Sequence, residues 1–216
     1  MRTEDLVKTL AANAAPVTPL PSPHIRMLIW LSISVAYAAL VIMLVGLRPD
    51  IGAKLADPRF LVEVTSAFMV SMLAATAAFC AECPGRPLWE RFVAIPAIVL
   101  WLASLGSGCW QAWIQNGPAG LTIAPDLLCF PSIVLIGIVP GILILAMIRR
   151  GAPIAPLTTV ALAMLAAGAL GAATLRLFHT QDASIMVLIW QFGSVAVLAA
   201  LGGLLGRQFL SWRHAH

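Results

Sequence analysis

Four cysteines, one histidine away from the polar ends and a few carboxylates are the residues here that could do chemistry. Cys80-Ala-Glu-Cys83 has the Cys-x-x-Cys spacing of a redox pair or of half a zinc site. A zinc site needs four ligands, and no second Cys/His pair lies near it, so the alternative is two small packing residues. Cys109 and Cys129 end one long apolar stretch and begin the next, which places both on one side of a membrane. There they read as a disulfide, as a thiol that joins His179 in a metal site (Cys129 with His179), or as packing residues. Glu63 and Arg176 fall about one turn inside apolar stretches, where an ionisable group is costly. Either they form an ion pair that closes one face, with Asp182 close by, or each snorkels to the nearby interface. His24, His214 and His216 sit in polar ends and read as solvated. No Gly-rich phosphate loop, Ser/His/Asp set or paired carboxylate is present, and no two histidines face one another as a bis-histidine haem site requires. The chain is not expected to be an enzyme.

The elements that must position these groups are six apolar stretches, approximately 27–46, 60–80, 92–110, 127–148, 155–178 and 184–206. A hydrocarbon core about 30 Å thick takes roughly 20 apolar residues of helix. Within it every backbone amide must be satisfied inside its own segment, which makes each stretch a helix. Composition agrees: 61% of residues are hydrophobic and 10% charged, where a soluble chain carries about 25% charged residues, and mean hydropathy is +0.95. The expected fold is all-α: a polytopic membrane protein of six transmembrane helices. Pro96, Pro131 and Pro140 are expected to kink their helices. Gly106, Gly108, Gly168, Gly171, Gly202, Gly203 and Gly206 offer close helix approach.

Charge sets the orientation. A sequence pI near 9.2 would suit nucleic acid, but the basic residues lie in the connections, so no direct nucleic-acid contact is expected and the bias is topological. With a cytoplasmic N-terminus, the inner segments hold Arg2, Lys8, Arg26, Arg86, Arg91, Arg149, Arg150, Arg207 and Arg213, against Arg48, Lys54, Arg59 and Arg176 outside. That excess places both termini in the cytoplasm. The first stretch follows about 26 polar residues and has no small-residue cleavage site after it, so it reads as a retained span. Trp89, Trp110, Trp113 and Trp212 near the span ends suit an aromatic belt. Three parts result: a cytoplasmic tail over 1–26, the transmembrane domain over 27–206 and a C-terminal tail over 207–216.

The tail has a pattern of its own. Thr3 is a candidate N-cap, with Glu4 and Asp5 in the first turn, where negative charge opposes the helix dipole. Leu6, Val7, Leu10 and Ala14 make one apolar stripe, and Pro16 stops the helix. Thr18-Pro-Leu-Pro-Ser-Pro-His24 then reads as an extended spacer. So short a helix is marginal in water unless its stripe is covered. It is either a docking peptide laid in a partner's groove or an interfacial, frayed tail, and its polar face is poor in the basic residues that favour lying on a membrane.

Three stretches carry a resemblance: Arg2-Thr-Glu-Asp-Leu-Val-Lys-Thr-Leu-Ala-Ala with Ala15-Pro16-Val17; Arg149-Arg-Gly-Ala-Pro-Ile-Ala-Pro156; and Phe178-His-Thr-Gln-Asp182 with Trp190 and the run Gly202–Gly206. Over essentially its full length the chain resembles the NrsF-like anti-sigma factors, six-helix bacterial inner-membrane proteins that hold an extracytoplasmic-function (ECF) sigma factor through a short cytoplasmic N-terminus. The resemblance implies sigma-factor contacts at Asp5, Leu6, Leu10, Pro16 and Val17. It also implies signal sensing on the periplasmic side by two cysteines, one matching Cys129. The other follows a histidine in a His-Cys-Pro-Glu-Asp pattern. Here that loop reads His179-Thr180-Gln181-Asp182, so the histidine and aspartate carry over and the second thiol does not. Cys109 is the available substitute.

The implied function is a membrane-bound anti-sigma factor that releases an ECF sigma factor on a periplasmic stress signal, an oxidant or a regulatory metal ion, with no resident cofactor. Its partners are the sigma factor and the bilayer. Oligomeric state is left open. Two readings from other classes stand beside it. A small-solute or ion transporter would use Glu63, Arg176 and Asp182, although no broken-helix pair marks a midplane site. A thiol oxidoreductase would use Cys80/Cys83 or Cys109/Cys129.

Overall fold

The computed structural model describes residues 2–12, 19–123, 129–151, 155–180 and 182–210. Its regular structure is helical throughout those residues. Helix α1 covers Thr3–Ala12, α2 Pro23–Val45, α3 Ile51–Leu55, α4 Pro58–Ala81, α5 Ile95–Asn116, α6 Cys129–Ile148 and α7 Pro156–Leu175. The last helix starts as α8, Ser184–Met186, passes through a π-helical turn, Val187–Phe192, and continues as α9, Gly193–Phe209. Turns of 3-10 helix, Leu88–Phe92 and Gly117–Leu121, flank α5. Six segments are long and apolar enough to cross a membrane: Pro23–Val45, Pro58–Ala81, Leu88–Leu121, Cys129–Ile148, Pro156–Leu175 and Ser184–Phe209.

The six expected stretches are all present, and their ends differ for local reasons. Proline in the first turn forfeits no intrahelical bond and has its φ preset for a helix. Pro23, Pro58 and Pro156 therefore open α2, α4 and α7, and α2 starts before the apolar run at Met27 does. The same logic corrects two expected kinks. Pro96 lies in the first turn of α5 and Pro131 is the third residue of α6, so Pro140 alone of the three sits in a helix interior. The Asp57 carboxylate accepts from the Arg59 N–H at 3.0 Å and caps α4. In α1 the Arg2 carbonyl accepts from the Asp5 and Leu6 amides, so Thr3 is the first helical residue rather than the cap. Leu127, where the fourth span was expected to begin, lies outside the described residues, as do Asn13–Thr18 and Ser211–His216.

Contacts between helix ends define two faces. On one, Arg26 of α2 meets Glu82 after α4 and the Met147 carbonyl of α6, and Arg149 donates to the Phe209 carbonyl of α9. On the other, Arg48 after α2 meets Asp182 before α8, and Arg176 after α7 meets Glu63 of α4. Successive spans thus run in opposite directions, and the start of α2 shares a face with the end of α9.

Helix α7 is the centre and α2 the periphery: 67% of the α7 apolar window is buried against 17% for α2. Alanine and glycine make that centre possible, since without a hydrophobic force between helices in lipid, association rests on close packing. A Cβ on Gly206 would stand 2.6 Å from the Pro156 carbonyl oxygen, and one on Gly171 2.9 Å from that of Ile133. Gly106, by contrast, faces open space, so it is not a packing residue. Two hydrogen bonds tie α2 to α6: the Trp30 indole N–H donates to the Pro140 carbonyl at 2.9 Å, and the Tyr37 hydroxyl to that of Leu135 at 3.1 Å.

Candidate functional site

The densest polar constellation lies on the Arg48 face, built by the turn after α2, the first turns of α4 and the loop between α7 and α8. Arg48 is its hub, 2% exposed. Its guanidinium donates to both Asp50 oxygens at 2.6 and 2.8 Å, to both Asp182 oxygens at 2.9 and 2.6 Å, and to the His179 carbonyl at 3.2 Å. Planar, fork-like donors suit two carboxylates held bidentately, which a lysine would not replace. Lys54 of α3 reaches Asp182 at 2.9 Å, and Arg176 reaches it at 3.2 Å.

A second arm joins through Arg176, which donates to Glu63 at 2.9 Å with both side chains nearly buried. Of the two alternatives for Glu63 and Arg176, the ion pair is the one formed, with Asp182 on the other side of the same guanidinium. Arg59, one turn before Glu63, pairs with it at 3.2 Å and donates to the Ser184 hydroxyl. Phe60, 2% exposed, lies between two cations, its ring centroid 5.8 Å from the Arg48 and 5.0 Å from the Arg176 guanidinium carbon. Cations favour the negative face of an aromatic ring. A cleft of about 110 Å³ opens among Lys54, Asp57, Arg59, Phe60, Glu63, Arg176 and Asp182.

Arg48, Lys54, Arg59 and Arg176 balance Asp50, Asp57, Glu63 and Asp182, so the cluster has no net field to draw in an ion. It is a clamp between helix ends. Burial alone would raise the Asp182 carboxyl, but hydrogen bonds from Arg48 and Lys54 and the nearby Arg176 charge outweigh it, holding the pKa at about 2. Hydrogen bonds donated to Asp182, then to Asp50, push the Arg48 guanidinium above its usual range.

The other expected residues are dispersed. Cys129, 1% exposed, opens α6 inside an apolar cluster with Val70, Trp101, Leu105, Ile133 and Leu175. Cys109 lies two turns before the end of α5, not at it, and lines a separate groove of about 330 Å³ with Gly106, Trp110, Trp113 and Leu121. Among the described residues no three His, Cys, Asp or Glu side chains converge as metal ligands would. The His179 amide donates to the Leu175 carbonyl at 2.9 Å, and its carbonyl serves Arg48. In α1, Asp5, Leu6 and Leu10 are all exposed, whereas Pro16 and Val17 lie outside the described residues.

On the opposite face a third buried arginine, Arg26, was missed by sequence reasoning. Arg26 and Glu82 form an ion pair with side chains 4% and 0% exposed. Arg26 also donates to the Met147 carbonyl and lies 4.7 Å from the centroid of the Phe79 ring.

A family model described as NrsF, negative regulator of sigma F, matches residues 10–212. The chain belongs to the NrsF family. Neither a curated protein nor a solved structure matches it. NrsF proteins are negative regulators of a sigma factor, so a sigma factor is the partner that membership assigns, and six apolar helices make this member a multi-pass membrane protein. The matched stretch begins at Leu10, inside α1, and takes in the Arg48 clamp, Cys109, Cys129 and His179.

Proposed function

We propose that this NrsF protein is an inner-membrane anti-sigma factor that sequesters an ECF sigma factor through α1 and releases it on a periplasmic stress signal. Residues 1–26 form the docking tail and its spacer, 27–206 the membrane domain and 207–216 a second cytoplasmic tail, with both termini in the cytoplasm. The observation that carries the reading is the bare stripe of α1. Leu6, Val7 and Leu10 are 41%, 58% and 63% exposed on a helix that buries none of its residues. A helix of that length gains stability when a partner covers such a stripe. Leu6 and Leu10 are the apolar anchors, Asp5 a charge partner, and Pro16 with Val17 ends the docking segment.

The stimulus acts at the Arg48 face, on Cys129 or Cys109 as an oxidant or a thiol-seeking metal ion, and through the loop that holds His179 and Asp182. To move the bound fraction from 99:1 to 1:99 it must supply about 5.5 kcal/mol of differential stabilisation.

The test is co-purification from detergent-solubilised membranes. The intact chain is compared with one lacking residues 2–17 and with Leu6→Asp/Leu10→Asp. A sigma factor retained by the intact chain alone supports the reading. Retention by the double variant at the intact level removes α1 as the docking element, and no sigma factor on any of the three removes the function.

A further inference from the structure

Helix α2 is the one span that joins the docking tail directly to the clamp at Arg48. Its 23 residues make it about 34 Å long at 1.5 Å per residue. A buried arginine holds each end: Arg26 to Glu82 and the Met147 carbonyl, Arg48 to Asp182 and Asp50. Between the clamps the helix is hydrogen-bonded to α6, through Trp30 to Pro140 and Tyr37 to Leu135, and its first half packs on α4, where Met27 and Trp30 share an apolar cluster with Ala75, Ala78 and Phe79.

The other side of its second half is loose. Val35, Ala38, Ala39 and Ile42 of α2 face residues of α4 and α7, including Phe68 and Leu170, across an apolar groove of about 280 Å³. The two hydroxyls in that groove are already satisfied within their own helices, Thr65 by the Leu61 carbonyl and Thr174 by that of Leu170. Among the described residues, neither hydroxyl has to give up a partner for the groove to close.

We propose that α2 is the lever that couples the two faces: when Asp182 lets go of Arg48, the second half of α2 swings into the groove, the helix pivots about Trp30 and Tyr37 on α6, and Arg26 is drawn off Glu82, displacing the tail. This rests on the anti-sigma reading and supplies its transmission step. Small shifts become discrete changes in packed bundles because interfaces have alternative packings rather than a continuum.

The experiment is hydrogen–deuterium exchange of the full chain in phosphatidylglycerol/phosphatidylethanolamine nanodiscs, comparing wild type with Asp182→Asn, Asp182→Glu and Lys54→Gln. In Asp182→Asn, amides of residues 20–30 should exchange faster by on the order of tenfold, at the far end of α2, while those of α7 stay at the wild-type rate. Asp182→Glu should stay close to wild type, and Lys54→Gln should fall between. Faster exchange confined to the residues around 45–60 and 177–186 overturns the lever. Should Asp182→Asn fail to insert, Lys54→Gln decides: a wild-type rate at residues 20–30 counts against the lever. Sigma-factor capture by the same preparations separates the two claims. If the wild type captures none, the anti-sigma reading falls. If it captures one and Asp182→Asn changes neither capture nor exchange, the lever alone falls.

Discussion

Breaking the Arg26–Glu82 pair from either side should not cost the same. The two side chains are 4% and 0% exposed, and removing one partner of a buried pair typically costs about 3–5 kcal/mol, because the charge left behind has lost both water and its counter-ion. At an effective dielectric near 20 the attraction between unit charges about 4 Å apart is roughly 4 kcal/mol, the same order. What differs is the residual environment. In Glu82→Ala the guanidinium keeps the Met147 carbonyl and the Phe79 ring, so the loss falls near the lower end, about 3 kcal/mol. In Arg26→Met the carboxylate keeps no hydrogen-bond donor among the described residues once the guanidinium is gone, and the loss approaches about 5 kcal/mol. The double change Arg26→Met/Glu82→Leu restores an apolar contact and should cost far less than the sum, with a coupling energy of about 3 kcal/mol or more. Denaturant titration of the four chains in detergent micelles, followed by circular dichroism, measures the cycle. Single variants costing under about 1 kcal/mol, or an additive double, would refute the assignment of a desolvated pair.

Acid should loosen the opposite face. Asp182 has an ordinary value of 3.8 and a folded value of about 2. A depressed carboxylate contributes stability that is fully present above the ordinary value and disappears as pH falls through the folded one. The stability difference between wild type and Asp182→Asn should therefore hold at pH 6 and shrink between pH 3.8 and about 2, and a difference constant across that window counts against the Asp182 contacts. Gly206→Ala should destabilise the bundle by about 1–3 kcal/mol, because its Cβ would stand 2.6 Å from the Pro156 backbone oxygen. Gly106→Ala, facing open space, is the control, and equal costs for the two would remove the α7–α9 packing argument.

The six spans were legible because hydropathy over about 20 residues needs no knowledge of what packs where. Their ends were less so: helix-starting prolines extended α2 and α4 past the apolar runs, α7 starts at Pro156 inside its run, and Pro131 proved to be a first-turn residue. For Glu63 and Arg176, similar depth in the sequence left a pair and separate snorkelling both open, and the structure selects the pair. Arg48 and Arg26 were not. An arginine just outside an apolar stretch looks like a topological charge, and its burial depends on what distant segments bring to it, Asp182 to one and Glu82 to the other. Glu82 itself was read only as the spacer of Cys80-Ala-Glu-Cys83. The bare stripe of α1 was written in the spacing of Leu6, Val7 and Leu10, and the helix there buries none of them.

The placement of the charges decides how a signal has to travel. The clamps built on Arg26, Arg48 and Glu63–Arg176 all sit at a face, whereas a transporter holds its polar site near the midplane. Under the proposed function, a stimulus at one face therefore reaches the tail through helix motion, not through a relay of charges. It must also supply about 5.5 kcal/mol of differential stabilisation to switch a 99:1 population. Neutralising an exposed pair yields about 0–1 kcal/mol, too little. Arg48 is different: buried, it forms hydrogen bonds with two carboxylates, and each charged hydrogen bond contributes about 1.5–3 kcal/mol. Detaching Asp182 from Arg48, Lys54 and Arg176 together reaches the required order, while loss of Lys54 alone reaches only a fraction of it. On the proposed anti-sigma reading, the effective stimulus is one that moves the whole 177–183 loop.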